Sequence, residues 1–229
     1  MSRKSQEDIF LSVEGDKWFE RNLESSEVDL EKRISHDRVI LCFETLNIIP
    51  QNVLEIGCSD GWRLEGLRKK YNCKCSGIDP SLKAINHGKS TYQNIELKIS
   101  TADDLPYQEN RFDTVIIGFC LYLCNRDKLF KIAYQVDRAL KNNGNLFILD
   151  FDPSFAYKNE YCHREGVFSY KMKYVNMFIW NPVYAQIYHE SFSSKGQVGI
   201  LYNNPDERIS VDVLRKNMDY AYPLNPYNR

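Results

Sequence analysis

Short apolar runs alternate with segments of helical periodicity along the first two thirds of this chain, and that alternation limits the folds it can adopt. The most apolar run, FDTVIIGF, has the composition of a strand covered on both faces. The runs lie at 52–56, 73–78, 95–100, 112–119 and 145–151. Strands separated by helices form βαβ units. The sequence therefore predicts an α/β fold with a doubly wound, mostly parallel sheet and helices on both faces.

Capping residues predict where the intervening helices begin and end. Ser35 is expected to cap a helix that Pro50 ends, and Ser81 to cap the helix after the second strand. A helix from about Asp127 places Ile132 and Val136 on one face, and Gly144 is expected to follow its end as a C-cap residue.

The chain changes character near residue 150, where it becomes aromatic and strand-like. Segments 183–194 and 198–202 are expected to be strands that give the sheet a C-terminal antiparallel portion. We predict a single domain over 1–229, since this length supports one sizeable core. Its parts are a helical cap at 1–49, a ligand-binding core at 50–151, an insertion or lid at 152–182, and C-terminal strands with a tail at 183–229.

Composition argues against several classes of protein. Lys plus Arg number 30 and Asp plus Glu 31, for a net charge of −1, so no basic excess favours nucleic acid as a partner. The sequence shows no signal peptide and no apolar run long enough for a membrane span, which predicts a cytoplasmic protein with no membrane partner. The 7 cysteines lack zinc-site spacing, so reduced thiols and no metal are expected. The oligomeric state stays open.

Residues suited to ligand binding follow three of the predicted strands. Gly57 and Gly61 allow a tight turn and a close backbone approach after the first strand. Asp79 ends the second strand 22 positions beyond Gly57, the spacing of an acid that binds ribose hydroxyls. The segment 101–103 follows the third strand. Because ligands bind at the carboxyl ends of parallel strands, these residues are expected to share one site. The turn lacks the GxGxxG pattern of dinucleotide dehydrogenases, and the chain has no GxxxxGK[ST] phosphate loop.

Four motifs in order, VLEIGCSDG, GIDPS, TADDLPYQENRFDTV and ALKNNGNLFILDF, resemble those of class I S-adenosylmethionine-dependent methyltransferases. The resemblance covers roughly 50–151 and implies a Rossmann-like fold with S-adenosylmethionine as cofactor and S-adenosylhomocysteine as product. It assigns Glu55 and Gly57 to the methionine side of the cofactor, Asp79 to the ribose, Thr101, Ala102 and Asp103 to the adenine, and the backbone near Gly118 and Phe119 to the amino-acid moiety. Cys58, next to Gly57, is expected to bind the cofactor as well. Two residues depart from the family pattern: Ser59 replaces a glycine, and Thr101 replaces an aspartate.

A second, shorter resemblance lies in the N-terminal string VEGDKWFERN, which is similar to the opening of methyltransferases associated with pseudaminic-type (nonulosonic) sugar biosynthesis. It implies that this segment folds over the cofactor, with Trp18 near it and Arg21 on the methionine carboxylate. The alternative is an amphipathic helix end with Trp18 in a core and Arg21 in solvent.

The expected reaction is methyl transfer to an oxygen or nitrogen of a small-molecule acceptor, for which a sugar or sugar nucleotide is one candidate. A non-catalytic or regulatory S-adenosylmethionine-binding protein and a protein or nucleic-acid methyltransferase are the alternatives. A general base is needed only for a hydroxyl or a charged amine. His163 is the first candidate for that catalytic role because it lies in the segment expected to cover the substrate, followed by His189 and His36.

Overall fold

A computed structural model describes residues 5–26, 29–193, 205–225 and 227. Seven strands form one sheet in the order β3-β2-β1-β4-β5-β9-β8, and β6 pairs with β7 in a separate hairpin. β1 to β5 pair in parallel, while β9 pairs antiparallel with β5 and β8. The strands are β1 Asn52–Ile56, β2 Lys74–Asp79, β3 Glu96–Ile99, β4 Phe112–Gly118, β5 Leu140–Phe151, β6 Tyr157–Glu160, β7 Phe168–Lys171, β8 Tyr184–Ser193 and β9 Arg208–Lys216. The predicted sheet, with its antiparallel C-terminal portion, is confirmed.

Helices cover both faces of the sheet. On one face Ile132 and Val136 pack with Ile148, and on the other Phe43 stacks on Phe147 with ring centroids 4.2 Å apart. The α-helices are α1 Gln6–Ile9, α2 Gly15–Ser26, α3 Leu30–His36, α4 Arg38–Thr45, α5 Trp62–Tyr71, α6 Leu82–Thr91, α7 Leu129–Ala139, α8 Asn176–Ile179 and α9 Met218–Ala221. A π-helical turn, Phe10–Glu14, joins α1 to α2. Burial of both sheet faces accounts for the continuous apolar runs in the parallel strands.

Ser81 caps α6 as predicted, but the cap predicted at Ser35 is wrong. Ser35 lies inside α3, where its hydroxyl donates to the Lys32 carbonyl. The Asp37 carboxylate caps α4 instead and accepts from the Ile40 N–H at 2.9 Å. The helix expected to follow a Ser35 cap therefore begins at Arg38, and the separate short helix α3 before it is capped by Asp29.

The C-cap role predicted for Gly144 is also wrong. α7 ends at Ala139, and β5 begins at the next residue because Leu140 already pairs with Phe112 of β4. Gly144 lies within that strand, where a Cβ would come within 2.6 Å of Leu140 Cδ1 and 3.0 Å of the Asp113 carbonyl oxygen. The glycine serves close packing of two strands rather than a helix end.

The region beyond β5, where an insertion or lid was predicted, contains a hairpin formed by β6 and β7 and followed by α8. The predicted strand at 183–194 corresponds to β8, whereas the one predicted at 198–202 lies outside the described residues. β9 was not predicted, although Val211, Val213 and Leu214 are fully buried. Within the ranges described, no helix is long and apolar enough to cross a membrane.

Candidate functional site

A cleft opens at the carboxyl ends of β1, β2 and β4, where the strand order reverses between β1 and β4. Ligands of open α/β sheets bind at this position. The cleft is concave and open to solvent at its mouth, as small-molecule sites commonly are. Its lining includes Gly57, Asp79, Thr101, Ala102, Asp103 and Phe119 from the sheet side, and Phe10, Gly15 and Trp18 from the N-terminal segment. The three predicted strand-end motifs thus meet in one place.

Gly57 lets the backbone turn inward at the floor of the cleft. Its φ is +75°, in the left-handed region that favours glycine, and its N–H donates to the Ile78 carbonyl at 2.9 Å. A Cβ at this position would lie 2.8 Å from Cys120 Cβ. At the neighbouring Gly118 a Cβ would lie 2.6 Å from Glu55 Oε1. Both glycines are therefore required by close contacts, and a ligand can approach the main chain here.

Asp79 is held by two backbone donors. The Ser59 N–H donates to one carboxylate oxygen and the Ser81 N–H to the other, each at 2.9 Å. Burial raises the Asp79 pKa to about 6, although these two hydrogen bonds favour the charged form. Ser59 adopts φ +51°, so it takes the left-handed conformation that a glycine would occupy. The carboxylate is fixed in orientation and keeps lone pairs for the two hydroxyls of a ribose.

The 101–103 segment forms a second polar wall. Asp103 accepts hydrogen bonds from the Thr101 hydroxyl, Lys128 and Lys131, each at 2.9 Å. Burial raises the Asp103 pKa, but the bonds from Lys131 and Lys128 outweigh it and hold the pKa at about 2. Because its proton is committed to Asp103, the Thr101 oxygen can only accept a hydrogen bond from a ligand amino group.

Glu55 and Cys58 lie behind the cleft rather than among its described lining residues. Glu55 pairs with Arg63, and Arg63 also binds Asp37 at 2.9 Å. Burial raises the Glu55 pKa to about 7 in spite of Arg63. Cys58 is 3% exposed and packs in the core. These two side chains shape the floor from below.

Phe119 lines the cleft from the end of β4. It takes φ +53°, uncommon for a residue other than glycine, and its N–H donates to the Leu149 carbonyl at 2.8 Å. Its ring packs against Tyr122 and Phe151 at centroid distances of 4.9 and 5.0 Å. The cleft therefore borders an aromatic cluster on the side of the insertion.

The N-terminal segment covers the cleft and is attached beside Asp79. The Asp16 carboxylate accepts from the Ser81 hydroxyl at 2.7 Å and from the Lys83 N–H at 3.0 Å. The Trp18 side chain lies beside the Tyr122 side chain. Gly15 packs on the N-cap of α6, where a Cβ would lie 3.3 Å from the Ser81 nitrogen. The VEGDKWFERN string thus supplies contacts at several positions, and Trp18 lies at the cleft rather than in a remote core.

Arg21 lies on the insertion side of this cover. Its Nη2 donates to Glu14 Oε1 at 2.5 Å and to the Tyr161 hydroxyl at 3.0 Å. Glu14 is fully buried within the π-helical turn, and its Oε2 has no hydrogen-bond partner among the described residues. Arg21 joins the cap to the insertion and is not among the described lining residues. Its predicted contact with the methionine carboxylate stays a prediction.

The three candidate bases do not meet, and none is among the described residues that line the cleft. His163 is exposed at the turn between β6 and β7, with its ring 5.3 Å from that of Tyr161. His189 Nδ1 lies 2.7 Å from Asp212 Oδ1 in a separate groove beside β8 and β9. His36 Nδ1 lies 2.9 Å from the Lys32 carbonyl oxygen.

Sequence reasoning missed several residues of the site, among them Glu7, Phe10 and Lys128. The Glu7 pKa is raised by burial and by the neighbouring Asp103. No local pattern marks Glu7 or Phe10, because their positions depend on how the N-terminal segment folds back over the sheet. The described residues contain no group of three or more His, Cys, Asp or Glu that could hold a metal.

The mostly parallel seven-stranded sheet, with antiparallel strands at its C-terminal end, matches a Rossmann-like methyltransferase fold. Residues 53–144 match the family described as "Methyltransferase domain". The matched residues are similar to a methyltransferase domain, and they include Gly57, Asp79, the 101–103 segment and Phe119 of the cleft.

Curated relatives carry related activities. The chain is 30% identical over 117 residues to ajmaline N-methyltransferase of Rauvolfia serpentina, covering 46% of this chain and 39% of that protein. It is 29% identical over 136 residues to tRNA U34 carboxymethyltransferase of Campylobacter curvus, covering 54% and 44%. The chain thus spans less than half the length of these relatives.

Solved structures share the fold over more of the chain. The N-methyltransferase NodS from Bradyrhizobium japonicum, solved with S-adenosyl-L-homocysteine, aligns with a TM-score of 0.59 at 16% identity over 88% of this chain and 97% of that one. The PH0226 protein from Pyrococcus horikoshii aligns with a TM-score of 0.62 at 15% identity over 83% and 92%.

Proposed function

We propose that this chain transfers the methyl group of S-adenosylmethionine to a nitrogen or oxygen of a small molecule, and we favour nitrogen. The observation that carries the proposal is the meeting of Gly57, Asp79, the 101–103 segment and Phe119 in one cleft at the strand ends. Glycines against the cleft floor, an oriented carboxylate and a hydroxyl acceptor fit the methionine, ribose and adenine parts of the cofactor. Ajmaline N-methyltransferase among the relatives supports nitrogen.

The cofactor supplies an activated methyl group on its sulfonium, so this chain's residues mainly position the reactants. Asp79 binds the ribose, Thr101 accepts from the adenine, and the backbone at Phe119 binds the amino-acid moiety. Alignment of nucleophile, methyl and sulfur can contribute several kcal/mol, up to about 7–11 kcal/mol in the best cases. Arg21 is proposed to reach the methionine carboxylate when the cap closes, with Trp18 packed beside the cofactor.

The acceptor enters between the cap and the insertion, beside the ring cluster of Phe119, Tyr122 and Phe151. A neutral amine needs no base in this site. For a hydroxyl acceptor we propose His163 as the base, since it lies on the insertion against Tyr161. Sugars and sugar nucleotides are candidate acceptors on the strength of the N-terminal string.

A tRNA acceptor is the second candidate, because the chain is similar to tRNA U34 carboxymethyltransferase. The net charge of −1 favours a small molecule, since phosphate binding relies on Lys and Arg.

Two measurements test the proposal. Calorimetry should show binding of S-adenosylhomocysteine and none of NADH. Turnover of S-adenosylmethionine should then be measured with separate panels of amines, sugar nucleotides and unmodified tRNA. Turnover with the amines alone supports the proposal, and turnover with tRNA alone replaces it with the second candidate. Binding of NADH without S-adenosylhomocysteine would overturn the cofactor assignment, and binding without turnover in any panel would favour a regulatory protein.

A further inference from the structure

The side chain of Gln6, in α1, joins three parts of the molecule that are far apart in sequence. Its Nε2 donates to the Leu123 carbonyl at 2.6 Å and to the Phe168 carbonyl at 2.8 Å. Its Oε1 accepts from the Phe168 N–H at 3.1 Å. The cap, the connection after β4 and the insertion therefore meet on one carboxamide.

Two of these three bonds use the full donor capacity of the Gln6 carboxamide, and the third uses its oxygen as an acceptor. Both Nε2 hydrogens are committed to carbonyls, and the oxygen takes one N–H. Phe168 presents its N–H and carbonyl on the edge of β7 away from β6, and Gln6 pairs with them as a neighbouring strand would. A side chain that lacks either half of the amide cannot reproduce this arrangement.

Leu123, the other partner of Gln6, lines the cofactor cleft. The carbonyls on either side of it are also held, because Arg126 donates to the carbonyls of Leu121 and Cys124. Arg126 Nη1 donates to the Tyr174 hydroxyl at 2.8 Å and so ties the same connection to the insertion. Gln6 links this connection to the cap by a direct hydrogen bond, beside the ion pair between Lys128 and Glu7 at 4.0 Å.

We infer that Gln6 is a positioning residue that holds the cap and the insertion closed against the Leu123 wall of the cleft and thereby sets the rate at which S-adenosylhomocysteine leaves. The inference rests on the proposed function for its ligand. Gln6 does not touch the reacting atoms in this assignment. It acts through Leu123 and the two covering segments.

Two substitutions separate the hydrogen bonds from the shape of the side chain. Gln6→Met keeps the length and removes all three bonds. Gln6→Glu keeps the acceptor for the Phe168 N–H but places a carboxylate oxygen against two carbonyl oxygens. Gln93→Met and Gln93→Glu are matched controls, since Gln93 is exposed in the turn after α6. Dissociation of S-adenosylhomocysteine is followed by stopped-flow tryptophan fluorescence, because Trp18 lines the cleft. Hydrogen exchange of 119–128 and 157–171 is measured in the ligand-free proteins.

Loss of two or three hydrogen bonds should speed dissociation about 5–30-fold in Gln6→Met, and more in Gln6→Glu. Association should stay within about twofold, and the melting temperature of the ligand-free protein should match that of the Gln93 controls. A purely structural role would lower the melting temperature without selective faster dissociation. Equal dissociation rates in parent and variants would overturn the inference.

If the parent does not bind S-adenosylhomocysteine, the proposed function fails. In that case hydrogen exchange still tests Gln6 separately: unchanged exchange at 119–128 and 157–171 in Gln6→Met would overturn its role in holding the two covering segments.

Discussion

The two walls of the cofactor cleft are built in different ways. The sheet wall holds its groups by main-chain contacts: Asp79 is fixed by two backbone N–H groups, and Gly57 donates its own N–H to Ile78. The cover holds its groups by long side chains, with Gln6 and Arg21 reaching from the cap to the insertion. A wall fixed by its own backbone is formed before ligand arrives. A cover held by a few side-chain bonds can open at modest cost.

Gly57→Val should give the largest effect, because it disturbs the preformed wall. The backbone conformation at φ +75° is strained for any branched residue, and the new Cβ would press on Cys120. We expect affinity for S-adenosylhomocysteine to fall by about a hundredfold or more, an effect of ~2.7 kcal/mol. Calorimetry measures it. A Gly57→Val protein that is folded and binds within tenfold of the parent would show that this wall adapts, against the contrast drawn above.

Asp79→Ala is expected to give the second largest loss of affinity. Hydrogen bonds to a charged group contribute ~1.5–3 kcal/mol each, so affinity for S-adenosylhomocysteine should fall at least about tenfold. Asp79→Asn keeps one acceptor oxygen and should lose less. Asp104→Ala is the control, as an exposed carboxylate beside the cleft segment. If both Asp79 variants bind S-adenosylhomocysteine as the parent does, Asp79 does not bind the ribose.

Arg21→Ala tests the cover and should weaken binding about fivefold, or ~1 kcal/mol. We expect the cap to gain order when cofactor binds, so hydrogen exchange at 10–25 should slow on adding S-adenosylhomocysteine and slow less in the variant. Lys17→Ala, an exposed change on the same helix, is the control.

A second substitution separates two causes of that loss, since Arg21→Ala leaves Glu14 buried without its cation. Adding Glu14→Gln should restore affinity if the loss comes from the unpaired carboxylate. It should restore nothing if Arg21 binds the methionine carboxylate directly. Parent-like exchange and affinity in Arg21→Ala would leave both residues with a purely structural role.

The smallest effect concerns pH. Burial raises the Asp79 pKa to about 6 in the free protein, and ribose hydroxyls that donate to the carboxylate favour its charged form. Binding therefore lowers this pKa, and affinity should be constant above about pH 7 and decline as pH falls through 6. Between pH 7.5 and 5.5 we expect a loss of about fourfold, which Asp79→Asn should abolish. An equal slope in Asp79→Asn would point to another group, such as Glu7, whose pKa is also raised.

The same contrast explains which features could be predicted from the sequence. Gly57, Asp79 and Thr101 lie at or just after the ends of β1, β2 and β3, and each of these strands can be recognised from its own apolar residues. Local patterns were therefore enough to place the three residues at the cleft. Gln6 and Tyr161 act across more than a hundred residues, and no spacing in the sequence reports such a contact. The error at Gly144 also comes from pairing between strands, because the pairing of Leu140 with Phe112 converts an expected helix end into a strand. The error at Ser35 is a local one, since Asp37, two residues on, takes the cap instead.

The place of β9 between β5 and β8 has a consequence for synthesis of the chain. β8 precedes β9 in sequence but reaches the sheet only through it, so both strands must wait until Arg208–Lys216 has left the ribosome. Until then the growing chain presents the edge of β5, whose Leu146, Phe147 and Ile148 are fully buried in the finished protein. An open apolar edge pairs readily with other chains. Nascent chains stalled before residue 208 should therefore be the species most prone to aggregate and most dependent on chaperones.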